Sequence, residues 1–319
     1  MVRRPPLLVI VGPTGVGKTA VAVRLAGRLD LEAVNADSRQ VYRGMDIGTG
    51  KPTPEERAAL THHLIDVVDP DERFHAARFR NLALRALQEI RARGRVPAVV
   101  GGTGLYIRAL LKGLRPAPPA DPALRAELEA FARVHGAPAL HARLAALQPD
   151  AARRLHPNDR VRLIRAIEIG VRSREGAGEA TESSAGDWGK SASPWHLVMV
   201  GLGQSREALH RRLAERARAM VARGMMEEVR RLLDAGYDPS LPAMAGIGYR
   251  QFSSVLQGRL RADEALRLMI RDTTRYAKRQ MTWFARDPEI RWIDVDEAGG
   301  LDGAAEAILK LIGEEGLLE

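Results

Sequence analysis

The stretch Gly12–Thr19 carries the most specific chemical signal in the sequence, because it satisfies the pattern G-x-x-x-x-G-K-[ST] at every fixed position. Its glycines allow successive backbone N–H groups to point inward and form a nest for an anion. Lys18 can reach the outer phosphates of a ligand, and the hydroxyl of Thr19 can hold Mg²⁺. Residues 12–19 are therefore predicted to bind a polyphosphate, although the motif does not identify which one.

A single acid, Asp37, follows the short strand predicted over residues 32–36. Ligands of open α/β sheets lie beyond the carboxyl ends of the strands, so Asp37 is expected beside the phosphate loop. Position alone leaves three roles open for this carboxylate: a ligand of Mg²⁺, a general base, or a cap for the next helix.

The strand predicted over residues 96–100 ends in Gly101, Gly102 and Thr103 rather than in an acid. Many ATPases and GTPases with a phosphate loop carry an Asp at such a place, where it holds Mg²⁺. Glycines allow a substrate to approach the backbone closely. Thr103 adds a neutral hydrogen-bonding group, or it only caps the helix that follows.

Two adjacent histidines, His62 and His63, begin a third strand candidate over residues 62–70. Neighbouring residues on a strand face opposite sides of the sheet. The pair is therefore poorly placed to ligate a single metal ion.

The elements that must position these residues alternate between strands and helices. Apolar runs predict strands over residues 7–11, 32–36, 62–70, 96–100 and 196–202. Helical spacing of apolar residues predicts helices over residues 20–29, 74–93, 206–223, 225–235 and 263–284. We therefore predict an α/β fold whose core is a P-loop NTPase-like parallel sheet.

A proline-rich segment over residues 115–122 interrupts this alternation. From there to about residue 195 the apolar residues recur only at helical spacing. We expect an inserted all-helical domain over residues 117–195, between core segments at 1–116 and 196–319. Residues 173–193 are rich in Gly, Ser, Ala and Glu, which predicts a mobile loop.

The composition favours an anionic partner. The 319 residues include 49 basic and 40 acidic side chains, for a net charge of +9. Arginines cluster between residues 153 and 172, and five basic residues share one face of the predicted helix between 267 and 279. The arginine cluster favours contact with the phosphates of a nucleic acid over the alternative of a solvated face, and the second group forms a basic ridge several turns long.

Other functions are excluded or disfavoured by the same composition. The chain has no cysteine, which rules out disulfides, thiolate catalysis and metals held by cysteine. No stretch approaches the roughly 20 apolar residues of a membrane span. We expect a cytoplasmic protein that does not bind membranes.

Six blocks of this sequence together resemble the tRNA dimethylallyltransferases, also called isopentenyl-diphosphate:tRNA transferases. The blocks occur in the family order at residues 12–19, 37–53, 101–106, 158–168, 246–250 and 278–283. The second block, from Asp37 to Thr53, is far more specific than the phosphate loop. The chain departs from the family pattern in its long segment at 176–193 and in an arginine, Arg286, that stands one place later than usual.

The resemblance implies a transfer of a dimethylallyl group from its diphosphate to N6 of the adenosine that follows the anticodon in tRNA. Asp37 would take the N6 proton, Thr103 would assist, and Arg216 would bind the diphosphate. Mg²⁺ would be held by Thr19. The diphosphate or a nucleotide such as ATP would lie on Gly12, Pro13, Thr14, Gly15, Val16, Gly17, Lys18 and Thr19.

The resemblance also implies which residues contact the anticodon stem-loop, from a chain that we expect to be a monomer. They are Asp37, Ser38, Arg39, Gln40, Thr103, Arg125, Arg160, Val161, Arg162, Leu163, Ile164, Ala245, Gly246, Ile247, Gly248, Tyr249, Arg250, Lys278, Arg279, Gln280, Met281, Thr282, Trp283, Phe284 and Ala285. Two alternatives stay open. One is another phosphate-loop enzyme, such as a small-molecule kinase or an adenylate prenyltransferase. The other is a nucleotide-gated RNA-binding module without covalent chemistry.

Overall fold

A computed structural model describes residues 4–114, 117–174 and 194–317. The chain divides into two compact units. The first comprises Met1–Leu111 and Ser193–Glu319, and the second comprises Lys112–Ala192. Most of the loop predicted at 173–193 lies outside the described residues, which resume only at 194.

One six-stranded parallel sheet forms the centre of the first unit. In chain order its strands are β1 (Pro6–Val11), β2 (Leu31–Asn35), β3 (His62–His63), β4 (Val96–Val100), β5 (His196–Gly203) and β6 (Arg291–Asp294). Their spatial order is β3-β2-β4-β1-β5-β6. This sheet confirms the predicted α/β fold.

Thirteen helices accompany the sheet among the described residues. They are α1 (Lys18–Ala26), α2 (Pro54–Ala59), α3 (Ala76–Ala92), α4 (Gly104–Lys112), α5 (Pro122–His135), α6 (Ala137–Leu147), α7 (Pro149–Arg154), α8 (Arg160–Arg174), α9 (Arg206–Ala222), α10 (Met225–Asp234), α11 (Tyr249–Leu256), α12 (Ala262–Phe284) and α13 (Gly300–Glu314). None of these helices is both long enough and apolar enough to span a membrane.

Both faces of the sheet are covered, and strand β1 explains why. Leu7 and Val9 pack in a core with Phe79 of α3, whereas Leu8 packs in a second core with Leu25 of α1. Successive strand residues point to opposite faces, so an uninterrupted apolar run is what a strand covered on both sides requires.

The strand order brings three separate chain segments together at one edge of the sheet. The phosphate loop follows β1, Asp37 follows β2, and Thr103 follows β4. Because β2, β4 and β1 are neighbours in a parallel sheet, their carboxyl ends lie side by side.

A further core of the first unit joins this edge to the last third of the chain. Tyr249 of α11, Met269 of α12 and Met225 of α10 pack with Val41 and Met45, which lie just after β2. Helix α9 packs against α12. This packing fixes α9 and α12 relative to the segment that begins at Asp37.

The sheet differs from the predicted one at both edges. The strand predicted over 62–70 is wrong beyond His63, because Leu64 and Asp66 have φ values of 63° and 58°. The carboxylate of Asp66 forms ion pairs with the buried Lys51 and with Arg57. At the opposite edge, β6 and α13 were not predicted.

The second unit is helical in its described part, with α5, α6, α7 and α8 around one apolar core. Leu128, Leu140 and Leu163 lie fully buried in it. Glu168 is also fully buried there, and it accepts hydrogen bonds from Arg125, Arg165 and the backbone of Asp121. Burial alone would raise the pKa of Glu168, but the two arginines hold it below its usual range.

Candidate active site

Two cavities meet at the carboxyl edge of the sheet. The larger has a volume of about 550 Å³ and is lined by the phosphate loop, while the smaller has a volume of about 270 Å³ and is lined by α11 and α12. Thr14, Asp37, Thr49 and Arg216 line both. We call the first the phosphate cavity and the second the acceptor cavity. A ligand in one would therefore lie next to a ligand in the other, with Asp37 between them.

The phosphate loop has the backbone that its glycines allow. Gly15 and Gly17 have φ values of 82° and 103°, which only glycine adopts without strain. The ammonium of Lys18 donates to the carbonyl oxygens of Gly12 and Pro13 at 3.0 and 2.8 Å. Burial lowers the pKa of Lys18 to about 8, the nearby Asp37 opposes this shift, and Arg216 adds to it. An anionic ligand would favour the protonated form of this amine.

Arg216 faces the loop from α9. Its Nη1 donates to the hydroxyl of Thr14 at 3.3 Å, and burial lowers the pKa of its guanidinium, with Asp37 opposing the shift. The guanidinium occupies the space that a side chain at position 50 would fill, because a Cβ added to Gly50 would overlap it.

Two further arginines, Arg212 of α9 and Arg223 immediately after it, also line the phosphate cavity. Arg212 donates to the carbonyl oxygen of Val16 at 3.4 Å. Of these three arginines, sequence reasoning assigned only Arg216 to the diphosphate. Their spacing in the helix predicted over residues 206–223 was the signal that could have grouped them.

Asp37 uses one carboxylate oxygen to close a local turn. Its Oδ1 accepts hydrogen bonds from the backbone N–H groups of Arg39 and Gln40, at 2.8 and 3.4 Å. Its Oδ2 has no hydrogen-bond partner among residues 4–114, 117–174 and 194–317. These bonds close a local turn and not a helix, because the next helix, α2, begins only at Pro54 and is capped by Thr53. Asp37 lies at the border of the two cavities.

Thr103 faces the same place. Its hydroxyl accepts the backbone N–H of Ser38 at 3.0 Å, while its carbonyl oxygen accepts that of Ile107 at the start of α4. The hydroxyl is thus tied to the segment that carries Asp37. Next to it lies Tyr276, which sequence reasoning missed. Burial and the charge of Asp37 raise the pKa of Tyr276 to about 12, so this phenol stays protonated at neutral pH.

Gln280 of α12 joins the phosphate loop to the end of β4. Its Oε1 accepts the backbone N–H of Thr14, and its Nε2 donates to the carbonyl oxygen of Gly102, both at 2.8 Å. The side chain is buried and lines the phosphate cavity. Its amide is therefore engaged inside the protein rather than presented on the surface.

The loop at 46–50, which borders both cavities, is held by a buried acid that sequence reasoning also missed. Glu228 of α10 accepts the backbone N–H groups of residues 46, 47 and 48 at 2.8–3.1 Å and the hydroxyl of Tyr249 at 2.6 Å. The side chain of Gln40 donates to the carbonyl oxygens of Thr49 and Gly50 at 3.3 and 3.0 Å. A lone acid on the apolar face of α10 was the available signal.

The residues implied as RNA contacts lie in different surroundings. In the first unit, several line the acceptor cavity: Asp37, Ser38, Arg39, Ala245, Gly246, Ile247, Tyr249, Arg250 and Arg279. Lys278, Thr282, Trp283 and Ala285 are exposed along α12, whereas Phe284 is buried in a core.

In the second unit, Val161 is 75% exposed between Arg160 and Arg162 at the start of α8. Leu163 and Ile164 are buried in the core of this unit. Arg125 makes two hydrogen bonds to Glu168 at 2.9 and 2.8 Å. RNA contact at all these positions stays a prediction.

The oxygen donors near the phosphate loop fit a hydrated divalent cation. Thr19, Asn35 and Asp37 all line the phosphate cavity. In the described part of the chain, no group of three or more His, Asp or Glu residues is arranged to hold a metal ion. Oxygen atoms such as those of Thr19, Asn35 and Asp37 are the kind of ligand that Mg²⁺ takes, so the residues present are compatible with this ion.

The chain resembles known proteins in sequence and in fold. Residues 40–287 match a family model described as IPP transferase, and residues 5–71 match one described as isopentenyl transferase. A relative from Geobacter sulfurreducens named tRNA dimethylallyltransferase is 50% identical, over 90% of this chain and 91% of its own. A relative of the same name from Desulforudis audaxviator is 47% identical, over 98% of this chain and 99% of its own. The crystal structure of a tRNA isopentenylpyrophosphate transferase from Bacillus halodurans has a TM-score of 0.70 and 40% identity, covering 98% of both chains.

Proposed function

The chain belongs to the IPP transferase family of tRNA dimethylallyltransferases, and we propose from this premise that it prenylates an adenosine of tRNA. The dimethylallyl group would move from dimethylallyl diphosphate to N6 of the adenosine on the 3′ side of the anticodon, with release of diphosphate. One observation supports the proposal beyond the family: Asp37 lines both the phosphate cavity and the acceptor cavity.

The phosphate cavity suits the diphosphate of the donor. Lys18, Arg212, Arg216 and Arg223 all line it, and the phosphate loop leads into the N-terminus of α1, where a helix favours an anion. These cations would stabilise the charge that develops on the leaving diphosphate. Mg²⁺ held by Thr19 would neutralise part of the same charge.

The acceptor cavity suits a purine that has left its stack. Tyr249, Met269 and Tyr276 give it an apolar and aromatic lining, which is complementary to the face of a base. Arg39 and Arg279 line the same cavity, where they can contact the phosphates that flank the base.

The transfer exchanges one bond for another at the border of the cavities. The bond between the allylic carbon and the diphosphate oxygen breaks, and a bond from that carbon to N6 forms. The proton that N6 loses would pass to Oδ2 of Asp37. Thr103 and Tyr276 would orient the base and the carboxylate, since both lie beside Asp37.

All the groups named above belong to a single chain, so we propose that a monomer suffices for the reaction. The tRNA substrate suggests that it works in the cytoplasm.

The test is a single incubation of the protein with dimethylallyl diphosphate, Mg²⁺ and an anticodon stem-loop RNA. The RNA should gain the mass of one dimethylallyl group in place of one hydrogen. A matched RNA with inosine at the target position has an oxygen where adenosine has N6, and it should gain nothing. ATP turnover at an enzymatic rate without RNA, and no mass gain with it, would instead favour a small-molecule kinase.

A further inference from the structure

An acid stands within the basic face of α12. Asp272 lies between Arg271 and Arg275 in the sequence, and its side chain is only 12% exposed. On a surface that binds phosphates, a negative charge by itself weakens the attraction for the ligand. The acid must therefore contribute something other than its charge if this face binds an anion.

Asp272 holds arginines from two helices at one place. Its Oδ2 accepts a hydrogen bond from Nη2 of Arg250 on α11 at 2.5 Å, and its Oδ1 accepts one from Nε of Arg271 at 2.9 Å. Nη1 of Arg275 lies 4.0 Å from Oδ1. Arg250 and Asp272 are 22 residues apart in the sequence, so the carboxylate joins cations that local spacing does not group. We call these four residues the arginine cluster.

The carboxylate itself is anchored to the protein interior. The buried Gln251 donates through Nε2 to Oδ2 of Asp272 at 3.0 Å, and its Oε1 accepts the backbone N–H of Gly248 at 2.8 Å. Burial alone would raise the pKa of Asp272, but hydrogen bonds from Arg271 and Arg250 hold it below its usual range. Asp272 is therefore ionised at neutral pH and fixed in position.

The three guanidinium groups remain open to solvent. The side chains of Arg250, Arg271 and Arg275 are 49%, 51% and 63% exposed. A guanidinium carries five N–H donors, and within the described residues Arg250 and Arg271 each use a single nitrogen, on Asp272. Three cations around one carboxylate leave a net positive charge. The arginine cluster therefore presents several fixed donors to an anion outside the protein.

The arginine cluster adjoins the acceptor cavity. Arg250 lines that cavity, and so do Thr273 and Tyr276, each of which directly follows a member of the cluster on α12. A nucleotide whose base enters the cavity has a phosphate on each side of its sugar. Arginine suits such a group, because its planar donors match two phosphate oxygens at once.

We propose that the arginine cluster binds a phosphodiester of the RNA backbone beside the target base, with Asp272 as the residue that positions its three arginines. This inference rests on the proposed function, since it takes the anion to be the tRNA substrate. Ordering a long side chain costs free energy on binding, and an arginine that is already fixed in the free protein avoids most of that cost. Asp272 thus favours RNA binding, although its charge alone opposes it.

The direction of one effect tests the proposal. Asp272→Asn removes a negative charge, so a face that is merely basic would bind RNA more tightly. If the carboxylate assembles the site, the affinity for an anticodon stem-loop should instead fall about fivefold or more, measured by fluorescence anisotropy. The dependence of this affinity on salt should also become shallower, because fewer phosphates are contacted.

Asp263 provides a matched control on the same helix. It forms ion pairs with Arg261 and Arg267, but its side chain is 63% exposed. Asp263→Asn removes the same charge from a carboxylate that solvent surrounds. Its stem-loop affinity should stay the same or rise.

A second comparison separates assembly of the site from a general effect on the fold. When Arg250 and Arg271 are both replaced by Gln, Asp272 no longer has a hydrogen-bonded arginine to hold. Adding Asp272→Asn to this double variant should therefore cause no further loss of stem-loop affinity. The affinity for inorganic diphosphate should equal that of wild type in every variant.

Contrary results overturn the inference in distinct ways. Unchanged or tighter stem-loop binding by Asp272→Asn would mean that the acid only offsets positive charge. A further loss in the double variant, or weaker diphosphate binding, would assign Asp272 a structural role. An equal loss in Asp263→Asn would show that assembly of the arginine cluster is not the cause. The binding assay contains no prenyl donor, so its outcome is separate from that of the transfer assay, which tests the proposed function.

Discussion

Replacing Asp37 by Asn tests the centre of the mechanism. Asn keeps the size of Asp, and its Oδ1 can still accept the N–H of Arg39, which lies 2.8 Å from Oδ1 of Asp37. The local turn should therefore survive, since Asn and Asp are nearly equivalent as caps. What the variant loses is a group that can take a proton.

The expected loss of rate follows from the chemistry of N6. The lone pair of this amine is delocalised into the ring, so attack on the allylic carbon builds positive charge on the nitrogen. A carboxylate that accepts the proton as this charge develops contributes roughly 10²–10⁴-fold to the rate. This corresponds to about 2.7–5.5 kcal/mol of activation free energy.

A second effect of the substitution must be separated from the first. The charge of Asp37 opposes the lowering of the pKa of Lys18, so Asp37→Asn should lower that pKa further below about 8. The loss of a proton from Lys18 would weaken diphosphate binding. Single-turnover rates with saturating donor at pH 6.5–7 keep Lys18 protonated and isolate the transfer step.

Three readouts on this variant distinguish the three roles of Asp37. A general base predicts a large fall in the single-turnover rate, with RNA affinity within a few-fold of wild type. A ligand of Mg²⁺ predicts weaker diphosphate binding that excess metal partly restores. A rate near that of wild type would leave Asp37 with only its role in the local turn and would refute the reasoning.

Three other perturbations test separate parts of the structure. The protonated form of Lys18 should bind inorganic diphosphate, so affinity should be full below its pKa of about 8 and fall by up to tenfold per pH unit above it. Reversing the exposed Arg271 and Arg275 to Glu should weaken stem-loop binding and reduce its dependence on salt, measured by fluorescence anisotropy, without changing diphosphate affinity. Glu228→Gln should lower the free energy of unfolding in urea by about 2–4 kcal/mol, because its NH₂ group cannot accept the backbone N–H groups that the carboxylate accepts.

Each of these has a matched control and a contrary outcome. Lys18→Arg stays charged and should lose the fall in affinity near pH 8, so an inflection that persists in this variant would assign it to another group. Arg85 and Arg91 are exposed on α3, and reversing them changes the net charge equally. If reversing Arg85 and Arg91 weakens RNA binding as much as reversing Arg271 and Arg275, the basic face of α12 has no special role. Tyr249→Phe removes only one of the contacts of Glu228, and a cost equal to that of Glu228→Gln would contradict the importance of the backbone contacts.

Local sequence patterns were sufficient to predict the central strands and the phosphate loop. Strand β4 begins and ends where it was predicted, and β1 begins one residue earlier. Their apolar runs are unbroken because both faces of the sheet are covered. Asp37 and Thr103 could be placed at one edge because parallel strands carry their ligands at their carboxyl ends.

Contacts between segments that are far apart in the sequence could not be predicted from such local patterns. Glu228 binds a loop about 180 residues earlier, and Gln280 binds Thr14, which is 266 residues away. Neither residue has an unusual local pattern that reveals its partner. Strand β6 has four residues and a partly exposed edge, so its apolar signal is weak. Sequence patterns indicate which face of an element is buried but not what covers it.

Contacts between distant segments also explain why β4 is followed by glycines and not by an acid. A Cβ on Gly101 would overlap the carbonyl oxygen of Ala36, and a Cβ on Gly102 would overlap the amide of Gln280. The backbone just after β2 and the side chain of Gln280 on α12 thus occupy the space in which other phosphate-loop enzymes place an acid for Mg²⁺. Because α12 approaches so closely, its residues that line the acceptor cavity come near the phosphate loop. The two glycines are therefore part of the packing that places the two cavities side by side.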